Sequence, residues 1–300
     1  MKHFGIFRYK FVKMFSFAPL PVIFLLLFVT ELFSMDWPSP SALMARNFGW
    51  NDDGMPHLGV TFEDGETLTA ADAGELLFSR REGETISRLP SPLGSWMALD
   101  HGDGIISIYS RLNDNAPQQI TETIEKGLNL SEPGISGWSS RRGFFFQLFD
   151  RRGRRWINPA LVIHTREQTS PPQILSVRLQ NSEGRSFNPA QIGSLAQDRY
   201  IISVEAIARS TRGRPLAPYR IICSLNGREA GVLNFETYST KDGSLMVYRN
   251  GLIPVSQVFI PAPAYAVADV WFSRGQTTLE IIAQDIAGTS RSVVYRFTVQ

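Results

Sequence analysis

The side chains best equipped for chemistry in this 300-residue chain lie between Asn47 and Asn158. His57 and His101 carry imidazoles, and Asp52, Asp53 and Glu63 stand close to His57 in sequence. Imidazoles and carboxylates are the donors of zinc centres, where three protein ligands leave a fourth position for an attacking water. A single histidine does not hold such a metal with useful affinity. The segment that decides the matter is Arg142-Gly143-Phe144-Phe145-Phe146-Gln147-Leu148. It has the composition of a buried strand, contains no imidazole, thiol or carboxylate, and follows Arg141.

These residues sit among short apolar segments punctuated by Gly, Pro, Asn and Asp, with no sustained helical period, which predicts strands and loops. Strands are expected over Leu76–Ser79, Trp96–Leu99, Ile105–Tyr109, Phe144–Leu148 and Leu161–Ile163, with turns at Glu63-Asp64-Gly65, Asp103-Gly104 and Arg152-Gly153. Ala116–Glu125 reads as a short helix or a loop. The polar run Arg166 to Pro172 ends in two prolines and reads as a linker. Further strands are expected over Ile174–Leu179, Tyr200–Ala208, Tyr219–Leu225, Val232–Thr237, Leu245–Tyr248, Ala266–Phe272, Thr278–Gln284 and Ser292–Val299. Asn226-Gly227 is a hairpin signal, since that pair favours the positive φ angles of a type I′ turn. Seven or eight strands in about 130 residues fit a β-sandwich of immunoglobulin-like type.

Several ordered landmarks between Phe48 and Ile163 resemble the lysostaphin/LytM family of zinc metallopeptidases, which cut peptide cross-bridges in peptidoglycan. Phe48-Gly49 and His57-Leu58-Gly59-Val60 stand where that family has FG and then H-x-G-x-D. Gly65-Glu66-Thr67-Leu68-Thr69-Ala70 through Gly74-Glu75-Leu76 is similar to its G-T-P-V-x-A-x-x-x-G-x-V. Asp100-His101-Gly102-Asp103-Gly104 and Tyr109-Ser110-Arg111-Leu112 resemble its I-x-H-G-x-G and Y-x-H-L pair. Ile124-Glu125-Lys126-Gly127, Gly134-Ile135-Ser136-Gly137-Trp138-Ser139 and Gly153 with Asn158-Pro159 complete the order. The resemblance implies an all-β fold: a LytM-type sheet domain, similar to a duplicated hybrid motif, over 35–165. A linker over 166–172 and an immunoglobulin-like sandwich over 173–300 follow. In the second part Asp285-Ile286-Ala287-Gly288-Thr289 resembles the last hairpin of bacterial immunoglobulin-like modules.

By the same resemblance, His57 matches the first zinc ligand, Thr61 stands at the aspartate ligand and Phe145 at the closing histidine ligand. Arg111 and Gly143 stand where the two helper histidines are implied. A threonine hydroxyl is a poor, neutral zinc ligand and phenylalanine offers no lone pair, so neither metal nor cofactor is expected. Glu63 cannot stand in for Thr61, because two residues along a strand is about 6–7 Å. His101 reads as a turn histidine. The groove that has exchanged ligands for Phe145, Arg111, Arg141 and Arg142 is a candidate peptide-binding surface, because guanidinium pairs bidentately with carboxylate. A groove filled by its own side chains is the competing reading.

The formal charge of +2 gives no whole-chain field for nucleic acid. Residues 35–168 carry 13 basic and 18 acidic side chains, and 169–300 carry 13 and 9. The run Arg151-Arg152-Gly153-Arg154-Arg155 reads as a solvated turn or a contact for an anionic envelope polymer. Residues 1–34 combine Lys2, Arg8, Lys10 and Lys13 with the apolar run Pro19 to Phe33, the pattern of a signal peptide or an uncleaved anchor. Cys223 is the only cysteine, which removes intrachain disulfides and a lipidated-cysteine anchor. These features predict an exported protein of the periplasm or cell envelope. The resemblance then offers an inactive, peptidase-like protein similar in kind to EnvC and NlpD, with peptidoglycan or a cell-wall amidase as partner. The alternatives are an active metalloendopeptidase with a non-standard zinc site and an adhesin led by the C-terminal sandwich.

Overall fold

The computed structural model describes residues 35–82, 91–115, 121–164, 170–261 and 264–300. The N-terminal segment 1–34 and most of the expected linker lie outside the described residues, as do 116–120 of the helix-or-loop segment. Met35–Gln300 forms one compact unit. Among the described residues the regular structure is all strand, apart from two single-turn 3-10 segments.

The first half is organised on seven strands: β1 (Leu43–Arg46), β2 (Val60–Glu63), β3 (Gly74–Arg80), β4 (Ser95–Asp100), β5 (Ile105–Leu112), β6 (Gly143–Asp150) and β7 (Arg155–Ile157). Strand β6 is central and buried along almost its whole length, so its apolar run has no polar alternation to show. It pairs antiparallel with β5, with Phe145 opposite Ser110, and with β2, with Phe145 opposite Thr61. Its even-numbered face, Phe144, Phe146 and Leu148, is fully buried against Val60, Phe62, Leu99 and Tyr109. Phe145 therefore emerges on the opposite face, as period-two geometry requires.

The expected strand Leu161–Ile163 is instead the end of a 3-10 turn over Pro159–Leu161. Pro159 presets the turn, and the Asn158 side chain accepts a hydrogen bond from the Ala160 amide. Leu161 and Val162 are left exposed. From the helix-or-loop segment, Thr123–Ile124 forms a short strand on β3.

The second half holds β8 (Ser170–Asn181), β9 (Arg199–Arg209), β10 (Arg220–Leu225), β11 (Arg228–Lys241), β12 (Ser244–Arg249), β13 (Ala264–Trp271), β14 (Gly275–Gln284) and β15 (Ser290–Val299). All eight expected strands are present, and β8 begins at Ser170, within the run read as linker. One sheet, β8, β9 and β13, packs on the sheet containing β10, β11, β14 and β15. Tyr200, Val204, Ile221, Leu233, Phe235, Ile281 and Phe297 fill the space between. Asn226 and Gly227 both have positive φ, which closes the β10–β11 hairpin as its sequence predicts.

The two halves share a sheet. Strand β7 pairs with β6 on one side and β11 on the other, with Trp156 opposite Tyr238. Phe48 reaches out of the first half and is buried in the second half's core, 4.8 Å from the Tyr238 ring. Gly49 follows it because the chain there has φ of +84°, and an added Cβ would lie 2.6 Å from the Phe235 ring. Asn47 donates to the Ala217 carbonyl and accepts from the Ala217 amide. Asn158 donates to the Phe235 carbonyl, and Tyr265 donates to the Gly49 carbonyl. The Phe-Gly and Asn-Pro landmarks thus act as joints between the halves.

Candidate functional site

His57, Thr61, Phe145 and Arg111, far apart in sequence, meet on one face of the β2–β6–β5 sheet. The His57 Nε2 lies 2.9 Å from the Thr61 hydroxyl, and the His57 ring centroid lies 4.8 Å from that of Phe145. The Arg111 guanidinium sits over the same Phe145 ring, 5.5 Å from its centroid. Phe145 is 8% exposed, so its face is occupied by Arg111 and His57.

His57 is held neutral. Burial pushes its pKa down to about 3, and the positive charges of Arg46 and Arg111 add to the effect. Its Nδ1 is 4.0 Å from Asp52, whose carboxylate is taken by Arg46. These residues do not fit zinc: one imidazole is already hydrogen-bonded to a hydroxyl, and a benzene ring fills the space beside it. Among the described residues no three His, Cys, Asp or Glu side chains gather as a ligand set. His101 is engaged elsewhere, with Nδ1 donating to the Ala73 carbonyl and Nε2 2.7 Å from the Ser107 hydroxyl.

Gly143 begins β6 opposite Glu63. A Cβ there would stand 2.2 Å from the Phe62 carbonyl oxygen, so the strand pair has closed on the glycine and no side chain fits. Arg111 owes its position to a β-bulge. The pairing of β4 with β5 steps from Ser95 opposite Leu112 to Trp96 opposite Ser110, which leaves Arg111 as the unpaired extra residue. Its φ is +64°, a left-handed conformation that costs a non-glycine residue about 1–2 kcal/mol. The Arg111 amide donates to the Leu93 carbonyl, and its carbonyl accepts from Gly134, which hold the strained backbone in place. Gly134 and Ser136, from the landmark loop, are structural: the Ser136 hydroxyl donates to the Leu112 carbonyl and accepts from the Ser95 amide.

Above this floor lies a cleft of about 500 Å³. Its walls carry five arginines, Arg46, Arg111, Arg141, Arg142 and Arg214, against one carboxylate, Glu63. Arg141 and Arg214 both face Glu63, at 3.8 and 2.8 Å, and Arg142 lies 3.8 Å from Glu132. Trp138 stands on the wall, 77% exposed. Sequence reading found Arg111, Arg141 and Arg142, weighed Glu63 only as a replacement ligand and Trp138 only as part of a landmark, and missed Arg46 and Arg214. Arg46 is legible only once β1 is laid against β2, where it pairs with Thr61. Arg214 comes from the β9 to β10 connection of the second half and has no local signal. The run Arg151–Arg155 is largely neutralised by its own neighbours: Arg151 meets Asp100, Arg152 meets Asp103 and Arg155 meets Asp150.

The class defined by this architecture is an all-β chain whose central sheet bears a cationic cleft in place of a donor set. Among solved structures it is similar to the catalytic domain of the prophage-encoded M23 protein EnpA from Enterococcus faecalis, at 18% identity over 39% of this chain and 87% of that one, with a TM-score of 0.32. It is also similar to the antimicrobial peptidase lysostaphin from Staphylococcus simulans, at 13% identity over 80% and 98%, TM-score 0.34. A chain of the SpoIIQ–SpoIIIAH pore-forming complex is matched at 12% identity over 44% and 92%, TM-score 0.33. At these identities and scores the likeness assigns no activity, ligand or partner to this chain. One family model matches residues 171–300. No curated protein matches the chain.

Proposed function

We propose that this chain is a catalytically inactive, peptidase-like envelope protein that binds peptidoglycan or a cell-wall hydrolase and so regulates or scaffolds wall remodelling. The observation that carries the reading is the convergence of His57, Thr61, Phe145 and Arg111 on one face. The ordered landmarks resemble a peptidase of the lysostaphin/LytM kind, and the site they frame is built without the chemistry of one. A neutral, hydrogen-bonded His57 packed on Phe145 is poorly suited to activate water, and among the described residues no second imidazole stands beside it to stabilise an oxyanion. The cleft has kept its walls and is lined with guanidinium groups, which bind rather than cleave. Export, read from the sequence of residues 1–34, would put that cleft in the compartment of the wall. Among the described residues no helix is long and apolar enough to cross a membrane.

The test is to mix the purified full chain with isolated peptidoglycan sacculi, alone and with a wall amidase added. Co-sedimentation without release of soluble wall fragments, together with altered release by the amidase, is expected. Near-stoichiometric zinc, with wall cleavage that a chelator removes along with the metal, would overturn the reading in favour of an active endopeptidase.

A further inference from the structure

We propose that the arginine cleft is a carboxylate-binding site for a peptide, seated on Arg111 and completed from the second half of the chain by Arg214. This rests on the reading of the groove as a binding surface and names the ligand group it takes.

The first observation is the charge imbalance, five guanidinium groups around one lining carboxylate. The second is how the carboxylates are shared out. Arg46 has Asp52, Arg142 has Glu132, and Arg141 and Arg214 divide Glu63. Among the described residues no carboxylate reaches ion-pair distance of Arg111. Yet Arg111 is the cation for which an anion matters most, because burial and then the charge of Arg46 disfavour its charged form, and the opposing charge of Asp52, which is itself paired with Arg46, offsets them only in part. The cation–π contact with Phe145 fixes the guanidinium in place without neutralising it.

The third observation is the bulge. A non-glycine residue at φ of +64° is held there by two backbone hydrogen bonds, and a bulge re-aims the side chain of its extra residue. Strain kept at a half-buried, unpaired cation in a cleft is the signature of a group positioned for a ligand. A guanidinium fork matches a carboxylate with two parallel hydrogen bonds. Trp138 offers an exposed aromatic face on the same wall, and Glu63 opposes a closely spaced polyanion. Both favour one carboxylate on an organic stem over a phosphate chain. An entering carboxylate would compete with Glu63 for Arg214, 2.8 Å away, so the second half senses occupancy through a residue it supplies.

The experiment titrates the full chain with N-acetyl-alanylalanine, its C-terminal amide and inorganic phosphate, followed by calorimetry or amide chemical shifts. The acid is expected to bind at least tenfold more tightly than the amide and more tightly than phosphate. Arg111→Gln should abolish the preference for the acid, and Arg214→Gln should weaken acid binding about three- to tenfold. Arg111→Gly provides a second variant whose backbone suits the left-handed site, so loss of binding in a protein with an unchanged circular dichroism spectrum reports the side chain. Equal binding of acid and amide, or an Arg111→Gln protein that keeps the preference, would overturn the proposal. Phosphate binding as tight as the acid would overturn its assignment to a peptide. If sacculi bind but the acid shows no preference, this inference fails and the wall reading stands. The reverse pattern, acid preference without binding to sacculi or amidase, sinks the wall reading alone.

Discussion

Acidifying the protein should cost it stability through His57 well before its carboxylates titrate. The pKa of His57 falls from the ordinary 6.5 to about 3 in the folded chain, chiefly because the ring is buried. Between those two values the unfolded chain carries a proton on this side chain and the folded chain does not. Stability contributed by the neutral ring is therefore full above the unfolded pKa and declines as pH falls towards the folded one. Each pH unit in that window is worth about 1.4 kcal/mol, so moving from pH 7 to pH 5 removes about 2 kcal/mol, a large part of an ordinary domain's margin. The assay is urea unfolding followed by tryptophan fluorescence at pH 7, 6 and 5, in the wild type and in His57→Gln. Glutamine keeps a hydrogen-bonding group near Thr61 and cannot titrate, and every other group contributes alike to both proteins. The wild-type loss between pH 7 and 5 should exceed the variant's by about 2 kcal/mol. Parallel pH profiles would refute the reasoning, because they would mean that the folded site accepts the proton.

Gly143→Ala should destabilise by about 1–3 kcal/mol in thermal or urea melts, since the new methyl meets the Phe62 carbonyl rather than a movable side chain. Restoring histidine at that position, together with Asp at 61 and His at 111 and 145, is then expected to yield misfolded protein rather than a zinc enzyme, read from soluble yield and metal content. Asn47→Ala should cost about 2–3 kcal/mol, because it orphans both backbone groups of Ala217 at the joint between the halves. Cys223 is fully buried and its thiol is pushed up to about 12 by burial. It should stay unreactive to a thiol-specific disulfide reagent at pH 8 until the chain is unfolded.

The strands of the second half and β3 to β6 of the first were legible because alternation and turn residues are local signals: Asn226-Gly227 forms the hairpin that its composition predicts, whereas β1, β2 and β7 are short and were not among the expected strands. The run Leu161 to Ile163 misled, because three apolar residues look alike on a strand edge and after a proline-started turn. What made the difference was the Asn158 side chain, whose amide and carbonyl are committed to Phe235 and Ala160. The floor of the site, His57, Thr61, Arg111 and Phe145, was legible only through the resemblance of the ordered landmarks to a known family. Its walls were not. Arg46 depends on a register with β2, and Arg214 on the packing of two halves more than 150 residues apart in sequence from Arg46 and Thr61. No window along the chain contains either relation.

The residues on the floor also explain one another, which bears on why single reversions should fail. A neutral His57 needs a neutral hydrogen-bonding partner, and Thr61 is one. An aspartate at 61 alone would sit beside the imidazole and draw a proton onto it in a buried setting, rather than complete a ligand set. A histidine at 145 alone would remove the ring on which both His57 and the Arg111 guanidinium pack, and would place a second imidazole beneath a cation. Replacing Arg111 alone with histidine would take away the charge that the cleft lacks a carboxylate to balance, while leaving Phe145 in the ligand's space. Each change is unfavourable until the others are present, and Gly143 blocks the last of them by backbone contact. The floor is thus a packed set in which each side chain holds its neighbours in place, and it supports a cationic surface whose chemistry lies in what that surface holds.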